Sequence, residues 1–129
     1  VNPAERVYYP VADNKEPIVA IGTDKEVDDP SIEVYFKQDA TPDSEKNNVG
    51  YLASQYMTSM ITSMLNARLS ELTQSANPPF TRAYSSYGNF FVAKTKEALN
   101  LSASSKADGI EKALKVLLQE AERARRFGK

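Results

Sequence analysis

"NVGYLASQYMTSMITSMLNARLSELTQ" (residues 48–74) decides the fold, because it is the longest stretch with helical periodicity. Its apolar residues recur at offsets of three and four, the spacing of one face of an α-helix. Thr41 fits an N-cap and Pro42 a first helical position, whereas Gly50 costs about 1 kcal/mol relative to alanine, so we expect the helix to begin either there or nearer Asn48. The sequence NPP at 77–79 ends it. The apolar stripe and the residues beside it are Ala53, Met57, Met60, Met64 and Leu72, with Tyr56, Ile61, Leu65 and Leu69. We predict that the three methionines belong to the core rather than to a ligand-binding surface.

Arg68 interrupts this apolar stripe, with Met64 one turn before it and Leu72 one turn after it. In one interpretation the side chain pairs with Glu71 at i+3 or extends to solvent at the helix end. In the other, its planar guanidinium leans over a cleft and grips a peptide carbonyl or a carboxylate. The local pattern by itself favours the first interpretation.

Four further segments carry strand patterns. The apolar run in EPIVAIGTD (16–24) predicts a strand covered on both faces, and SIEVYFKQD (31–39) alternates as a half-buried strand does. TRAYSSYG (81–88) and EALNLSASS (97–105) predict two more strands. The segment between them, NFFVAKTK (89–96), fits either a strand or a loop.

The last part of the chain predicts a second helix. Ser105 and Asp108 fit a capping box at its start, and Gly128 follows its end. Arg123, Arg125 and Arg126 lie near the negative end of the helix dipole, which favours a solvated helix end over a binding patch. Its apolar stripe is Ile110, Ala113, Leu114, Leu117, Leu118 and Ala121.

The predicted order is therefore β-β-α-β-β-α, which favours an α+β fold with a mainly antiparallel sheet and both long helices on one face. We expect a single partial domain, residues 1–129, with 1–16 as an extended lead-in and 17–129 as the α/β module. The opening VNPAERVYYP has neither an initiator methionine nor the features of a signal peptide, which favours a segment cut from a longer chain.

Composition excludes several kinds of chemistry. The 129 residues include no histidine and no cysteine, so the usual zinc sites and Ser-His-Asp or Cys-His catalysis have no ligands or base within them. A net charge of -1 predicts no nucleic-acid partner. No apolar run reaches the about 18 residues of a membrane span. The acidic residues at 24–29 lack EF-hand spacing and predict a solvated turn. We therefore predict neither catalytic nor metal-binding residues.

Several segments together resemble the insulinase/pitrilysin family of zinc metallopeptidases, and bacterial members with processing-peptidase-like repeats in particular. The segments are PVADNKEPIVAIGTDKE (10–26), YFKQDA (35–40), MLNARLSEL (64–72), NPPF (77–80), FFVAKTKEALNLSA (90–103) and LLQEAERARRFG (117–128). The resemblance implies an α+β metallohydrolase repeat. In that family the catalytic repeat carries the zinc motif H-x-x-E-H, which this chain lacks. The chain therefore resembles the later part of the next repeat, which binds no zinc, without that repeat's opening strand.

The resemblance also implies a function and two site residues. A zinc endopeptidase would hold its zinc in an upstream domain, and this chain, itself without a cofactor, would form part of the substrate chamber. Arg68, in the pair Arg68-Leu69, and Tyr84 on the next strand would bind the substrate backbone, with Tyr87 as the second choice for the tyrosine. The implied partners are a peptide or protein substrate and other domains of the parent chain. The implied location is the periplasm or cell envelope of a bacterium.

Two other functions remain open at this stage. Some family members have lost the zinc motif, and the chain would then be a structural or recognition module of a catalytically inactive protein. The third possibility is a small self-contained enzyme, which needs a pair of carboxylates in a cleft. The spacing of the acidic residues does not indicate such a pair.

Overall fold

The computed structural model describes residues 3–5 and 7–127, and these residues form an α+β fold. Its elements are β1 (Ser31–Asp39), α1 (Val49–Thr73), β2 (Arg82–Asn89), β3 (Lys96–Ser104) and α2 (Ile110–Phe127), with a short 3-10 turn, Asp43–Glu45, between β1 and α1. The predicted fold class is confirmed.

The three strands form one antiparallel sheet in the order β1-β3-β2, with β3 in the centre. Leu101 of β3 lies opposite Val34 of β1 on one side and Ser85 of β2 on the other. Because side chains alternate along a strand, these three residues define one face of the sheet, which we call the helix face. The opposite face, which carries Lys37 and Tyr84, we call the open face.

Both helices pack on the helix face, as predicted. Leu69 of α1, Leu101 of β3 and Leu117 of α2 are 0%, 0% and 1% exposed and belong to one cluster of buried side chains. Phe80, in the connection that follows α1, completes this cluster and is 2% exposed. A single apolar layer between the sheet and the two helices is therefore the core.

Of the two starts predicted for α1, the one near Asn48 is confirmed and the one at Thr41 and Pro42 is wrong, because a 3-10 turn follows Pro42. The start of α2 differs from the prediction. Asn48 is the N-cap of α1, and its Oδ1 accepts a hydrogen bond from the backbone N–H of Tyr51 over 2.8 Å. The capping box predicted for α2 is wrong, because Ser105 is buried and its hydroxyl donates to the carbonyl of Lys106 over 3.0 Å. The predicted end signal at Gly128 lies outside the described residues.

The predicted strand at 16–24 is wrong, so the observed order is β-α-β-β-α. Ile18, Val19 and Ile21 are 78%, 78% and 87% exposed, and no ladder joins this segment to β1 or β2. An apolar run favours a strand only where a partner edge and two covering layers are present. The undecided segment 89–96 is mainly a loop, since β3 begins at Lys96.

The prediction that the methionines of α1 lie in the core is also wrong. Met57, Met60 and Met64 are 61%, 46% and 45% exposed. Leu65 and Leu69 are the residues of α1 that are fully buried. Apolar side chains surround most of the circumference of α1, and the sheet and α2 cover one side of it. The excess apolar side chains therefore remain at the surface.

We predict that Leu69→Ala lowers the free energy of unfolding by about 2–5 kcal/mol, because it opens a cavity at the centre of the core. Leu52→Ala is the matched control on the same helix, where the leucine is 64% exposed. That change should stay within about 0.5 kcal/mol of wild type. Urea unfolding followed by circular dichroism measures both, and equal losses for the two variants would contradict the core assignment.

Candidate functional site

Arg68 lies where α1 and α2 meet. Its Nε donates to Glu120 Oε2 of α2 over 3.2 Å, and its Nη1 donates to Glu71 Oε2 one turn further along α1 over 2.9 Å. The side chain is 36% exposed, whereas that of Glu120 is 12% exposed. The hydrogen bonds that Arg68 donates to Glu71 and then to Glu120 raise the pKa of Arg68 above its usual value. The i+3 pairing expected from the sequence is thus present, together with a bridge between the helices.

The exposed apolar side chains of α1 lead directly to Arg68. Met57, Met60, Ile61 and Met64, which we call the methionine stripe, lie on one side of α1, since Met57 is three and four residues before Met60 and Ile61, and Met64 is four and three residues after them. They are 61%, 46%, 51% and 45% exposed. Arg68 comes one helical turn after Met64, so a guanidinium closes one end of a solvent-facing apolar surface.

Tyr84, the tyrosine predicted to act with Arg68, lies on the other side of the sheet. Its neighbours Ala83 and Ser85 face the helices: Ala83 packs against the core, and the backbone N–H of Ser85 donates to Asn66 Oδ1 of α1 over 2.6 Å. Alternation therefore places Tyr84 on the open face, where it is 44% exposed. The structure does not bring Arg68 and Tyr84 together.

Tyr87, the second choice, lies on the helix face but has different partners from Arg68. Its hydroxyl donates to Glu97 Oε2 over 2.7 Å, and the amide of Gln38 donates to the Tyr87 oxygen. Burial, followed by the hydrogen bond to Glu97, raises the pKa of Tyr87 to about 12. This tyrosine therefore joins the three strands to one another and shares no contact with Arg68.

The arginines near the end of α2 are matched by acids on the same helix. Arg125 and Arg126 contact Glu122 at 2.7 Å and 2.5 Å, and Arg123 lies 3.6 Å from Glu120. Hydrogen bonds from Arg125 and Arg126 lower the pKa of Glu122 to about 2. Local pairing of this kind supports the expected solvated helix end rather than an anion-binding patch.

Sequence reasoning missed a cluster of charged residues at the open face, formed by Lys96, Asp13 and Asp39. The side chain of Lys96 is 6% exposed, and its Nζ lies 2.6 Å from both Asp13 and Asp39. Asp39 is its cross-strand partner in β1. These acids are 83 and 57 residues away along the chain, so no local pattern in the sequence indicates the cluster.

The described residues show neither a group of metal ligands nor a membrane-spanning helix. Across residues 3–5 and 7–127, no three or more histidine, cysteine, aspartate or glutamate side chains are grouped so that they could hold a metal ion. Neither described helix combines the length and the apolar content required to cross a bilayer. The features present in these residues are the apolar stripe beside Arg68 and the ion pairs of Lys96 with Asp13 and Asp39.

Comparisons with known proteins return no match: no family model fits the chain, and no curated protein and no solved structure is significantly similar to it. The likeness to the insulinase/pitrilysin family therefore stays a prediction from the segments quoted above.

We predict that Glu97→Gln lowers the pKa of Tyr87 from about 12 part of the way towards 10.0, because burial remains as a cause when the charge is removed. Since the folded state favours the neutral phenol, the contribution of Tyr87 to stability is complete below pH 10.0 and is lost as the pH rises towards about 12.

The measurement is the phenolate absorbance of wild type minus that of Tyr87→Phe, recorded as the pH rises. Glu111→Gln, at an exposed position in the first turn of α2, is the matched control and should leave the midpoint unchanged. A midpoint that does not move in Glu97→Gln would contradict the role given to this carboxylate.

Proposed function

We propose that this chain is the substrate-chamber module of a zinc-dependent endopeptidase of the insulinase/pitrilysin type. In this proposal an upstream domain of a longer parent chain holds the zinc, and the module described here positions the peptide without taking part in the chemistry. The resemblance of the sequence segments supports the family, and the surface of α1 supports the role.

The observation that carries the proposal is the methionine stripe, which ends at Arg68. Methionine side chains are flexible and polarizable, so an exposed row of them adapts to many apolar side chains. A guanidinium beside such a row can donate to peptide carbonyls, which every peptide has. Together they suit the binding of extended peptides with little dependence on sequence.

The two ion pairs of Arg68 leave it able to act in this way. These two ion pairs, both within the described residues, use Nε and Nη1. Neither uses Nη2, which carries hydrogens that it can donate to a peptide. Glu71 and Glu120 hold the guanidinium in one orientation, which reduces the entropy lost when a peptide binds. In the parent enzyme Arg68 would orient the substrate backbone near the metal-bound water.

We predict that Arg68→Ala weakens the binding of an extended peptide with alternating leucine and serine. Loss of a charged, partly exposed donor costs about 1 kcal/mol, or roughly fivefold in the dissociation constant. Fluorescence anisotropy of the labelled peptide measures this constant. Equal affinities for wild type and Arg68→Ala would remove Arg68 from the site.

Glu120→Gln is the control that separates binding from support of the fold. This change removes the ion pair between α1 and α2 but keeps the guanidinium. If Arg68 binds peptide, Glu120→Gln should keep most of the wild-type affinity, because the amide oxygen of glutamine still accepts from Arg68 Nε and holds the guanidinium in its orientation. If Arg68 only joins the helices, both variants should lose affinity together.

We also predict that the purified 129-residue chain hydrolyses no peptide when zinc is added, since the proposal assigns zinc and base to another domain. Liquid chromatography of the incubated peptide checks this outcome. Metal-dependent cleavage, abolished by a chelator and absent from a mock purification, would contradict the proposal.

A second candidate function is a structural or recognition module of a catalytically inactive relative. The exposed apolar side chains of α1 favour it as well, because a face of this kind also suits a permanent contact with another protein domain. The reading frame upstream of residue 1 distinguishes the two candidates. A His-x-x-Glu-His helix there supports the peptidase, and a domain without that motif supports the structural role.

A further inference from the structure

The extended segment before β1 contacts Lys37 and Lys96 of the open face and Thr95, the residue just before β3. Thr95 Oγ1 donates to the carbonyl of Tyr9 over 3.1 Å, and Lys37 Nζ donates to the carbonyl of Ala12 over 3.1 Å. Lys96 Nζ donates to Asp13 Oδ1 over 2.6 Å. We call residues 9–13 the strap, and Lys37, Thr95 and Lys96 the strap site.

The strap site recognises the main chain of an extended segment and one acidic side chain. Two of its three contacts are to carbonyl oxygens, which any sequence offers. The third is to a carboxylate. Pro10 within the strap has a fixed φ and no N–H, so it favours an extended chain that does not pair as a full strand.

Lys96 gives the site a fixed positive charge. Its side chain is 6% exposed, and its ammonium group also donates to Asp39, the cross-strand partner, over 2.6 Å. When the strap leaves, Asp39 still pairs with Lys96, but a donor of the ammonium group loses its acceptor. That donor is then available to a carboxylate of another peptide.

Lys37 is held in place by an aromatic group. Its Nζ lies 5.5 Å from the ring centroid of Phe90, a cation–π distance. Phe90 in turn packs against Tyr35 and Phe91, with ring centroids 5.5 Å and 4.7 Å away. The donor to the strap carbonyl is therefore positioned before any peptide binds.

The strap is held by few interactions, one of them through an exposed side chain, so another peptide can displace it. Asp13 is 74% exposed at its side chain although it contacts a buried lysine. After the strap, the hydrogen bonds observed for residues 14–29 are local ones, from Asn14 to Glu16 and from Glu26 and Val27 to Asp24. Within the described residues, the next hydrogen bond from this segment to the sheet region comes at Pro30, whose carbonyl accepts from the backbone N–H of Ser105 over 3.0 Å.

We propose that the strap site is a binding site for an extended acidic peptide, and that residues 9–13 of this chain occupy it in cis. An incoming peptide with an aspartate or glutamate at the matching position displaces the strap. The site lies on the face of the sheet opposite the helices and does not include Arg68, so it stands whether or not the peptidase proposal does.

The test uses the full chain and a fluorescein-labelled peptide of sequence VYYPVADN (residues 7–14). Asp13→Asn weakens the strap in cis and leaves the site intact. This variant should bind the peptide about fivefold more tightly than wild type, the upper range for a partly exposed ion pair. The same peptide with asparagine in place of its aspartate should lose that gain.

Glu16→Gln is the matched control, because it removes an acidic residue from the same segment just outside the strap. It should bind the peptide as wild type does. Adding Lys37→Met to Asp13→Asn should weaken binding again, since the donor to the strap carbonyl is lost. The proposal is overturned if Asp13→Asn binds no more tightly than Glu16→Gln, or if the aspartate and asparagine peptides bind it equally.

Discussion

The contact among Leu69, Leu101 and Leu117 is the interaction on which the rest of the structure depends. Backbone hydrogen bonds of a helix close mainly within that helix, so side chains decide where α1 and α2 lie on the sheet. They act through the apolar cluster and, for α1, also through the hydrogen bonds between Asn66 and Ser85. The two helices in turn bring Arg68 within 3.2 Å of Glu120. This core covers the helix face of the sheet. The open face, the outer edges of β1 and β2 and one side of α1 remain for contacts with other molecules.

The burial of α1 shows how the module divides its surface. A helix with apolar residues around most of its circumference is typical of a buried position. Here Leu65 and Leu69 are buried, whereas the methionine stripe faces solvent. Ile18, Val19 and Ile21 repeat this pattern in the segment before β1, where they are exposed. The sequence of both regions is that of a protein interior, which favours a module that lies against other protein surfaces.

Strand alternation and helix start signals predict much of the fold, because they depend on residues that are close together in the sequence. Alternation placed the strand at residues 31–39 with the bounds observed for β1, and Asn48 predicted the start of α1. The errors at residues 16–24 and at the methionines of α1 share one cause, because periodicity shows which side chains favour burial and not whether a partner surface is present. The pairing of Arg68 with Glu71 was accessible at i+3, but its bridge to Glu120 spans 52 residues and depends on how the helices pack.

The two cationic sites differ in a way that suits different ligands. Arg68 is partly exposed, and its planar guanidinium bridges the carboxylates of Glu71 and Glu120. The guanidinium has further N–H donors that suit the carbonyl groups of a peptide. Lys96 is a point charge, nearly buried between two acids, so it selects for negative charge rather than for carbonyl geometry. The sheet separates them: Arg68 lies with the helices, and Lys96 lies on the open face. Because the two cations share no partner, the ion pairs of one stay in place when those of the other are removed, and the two proposed peptide sites are independent of each other.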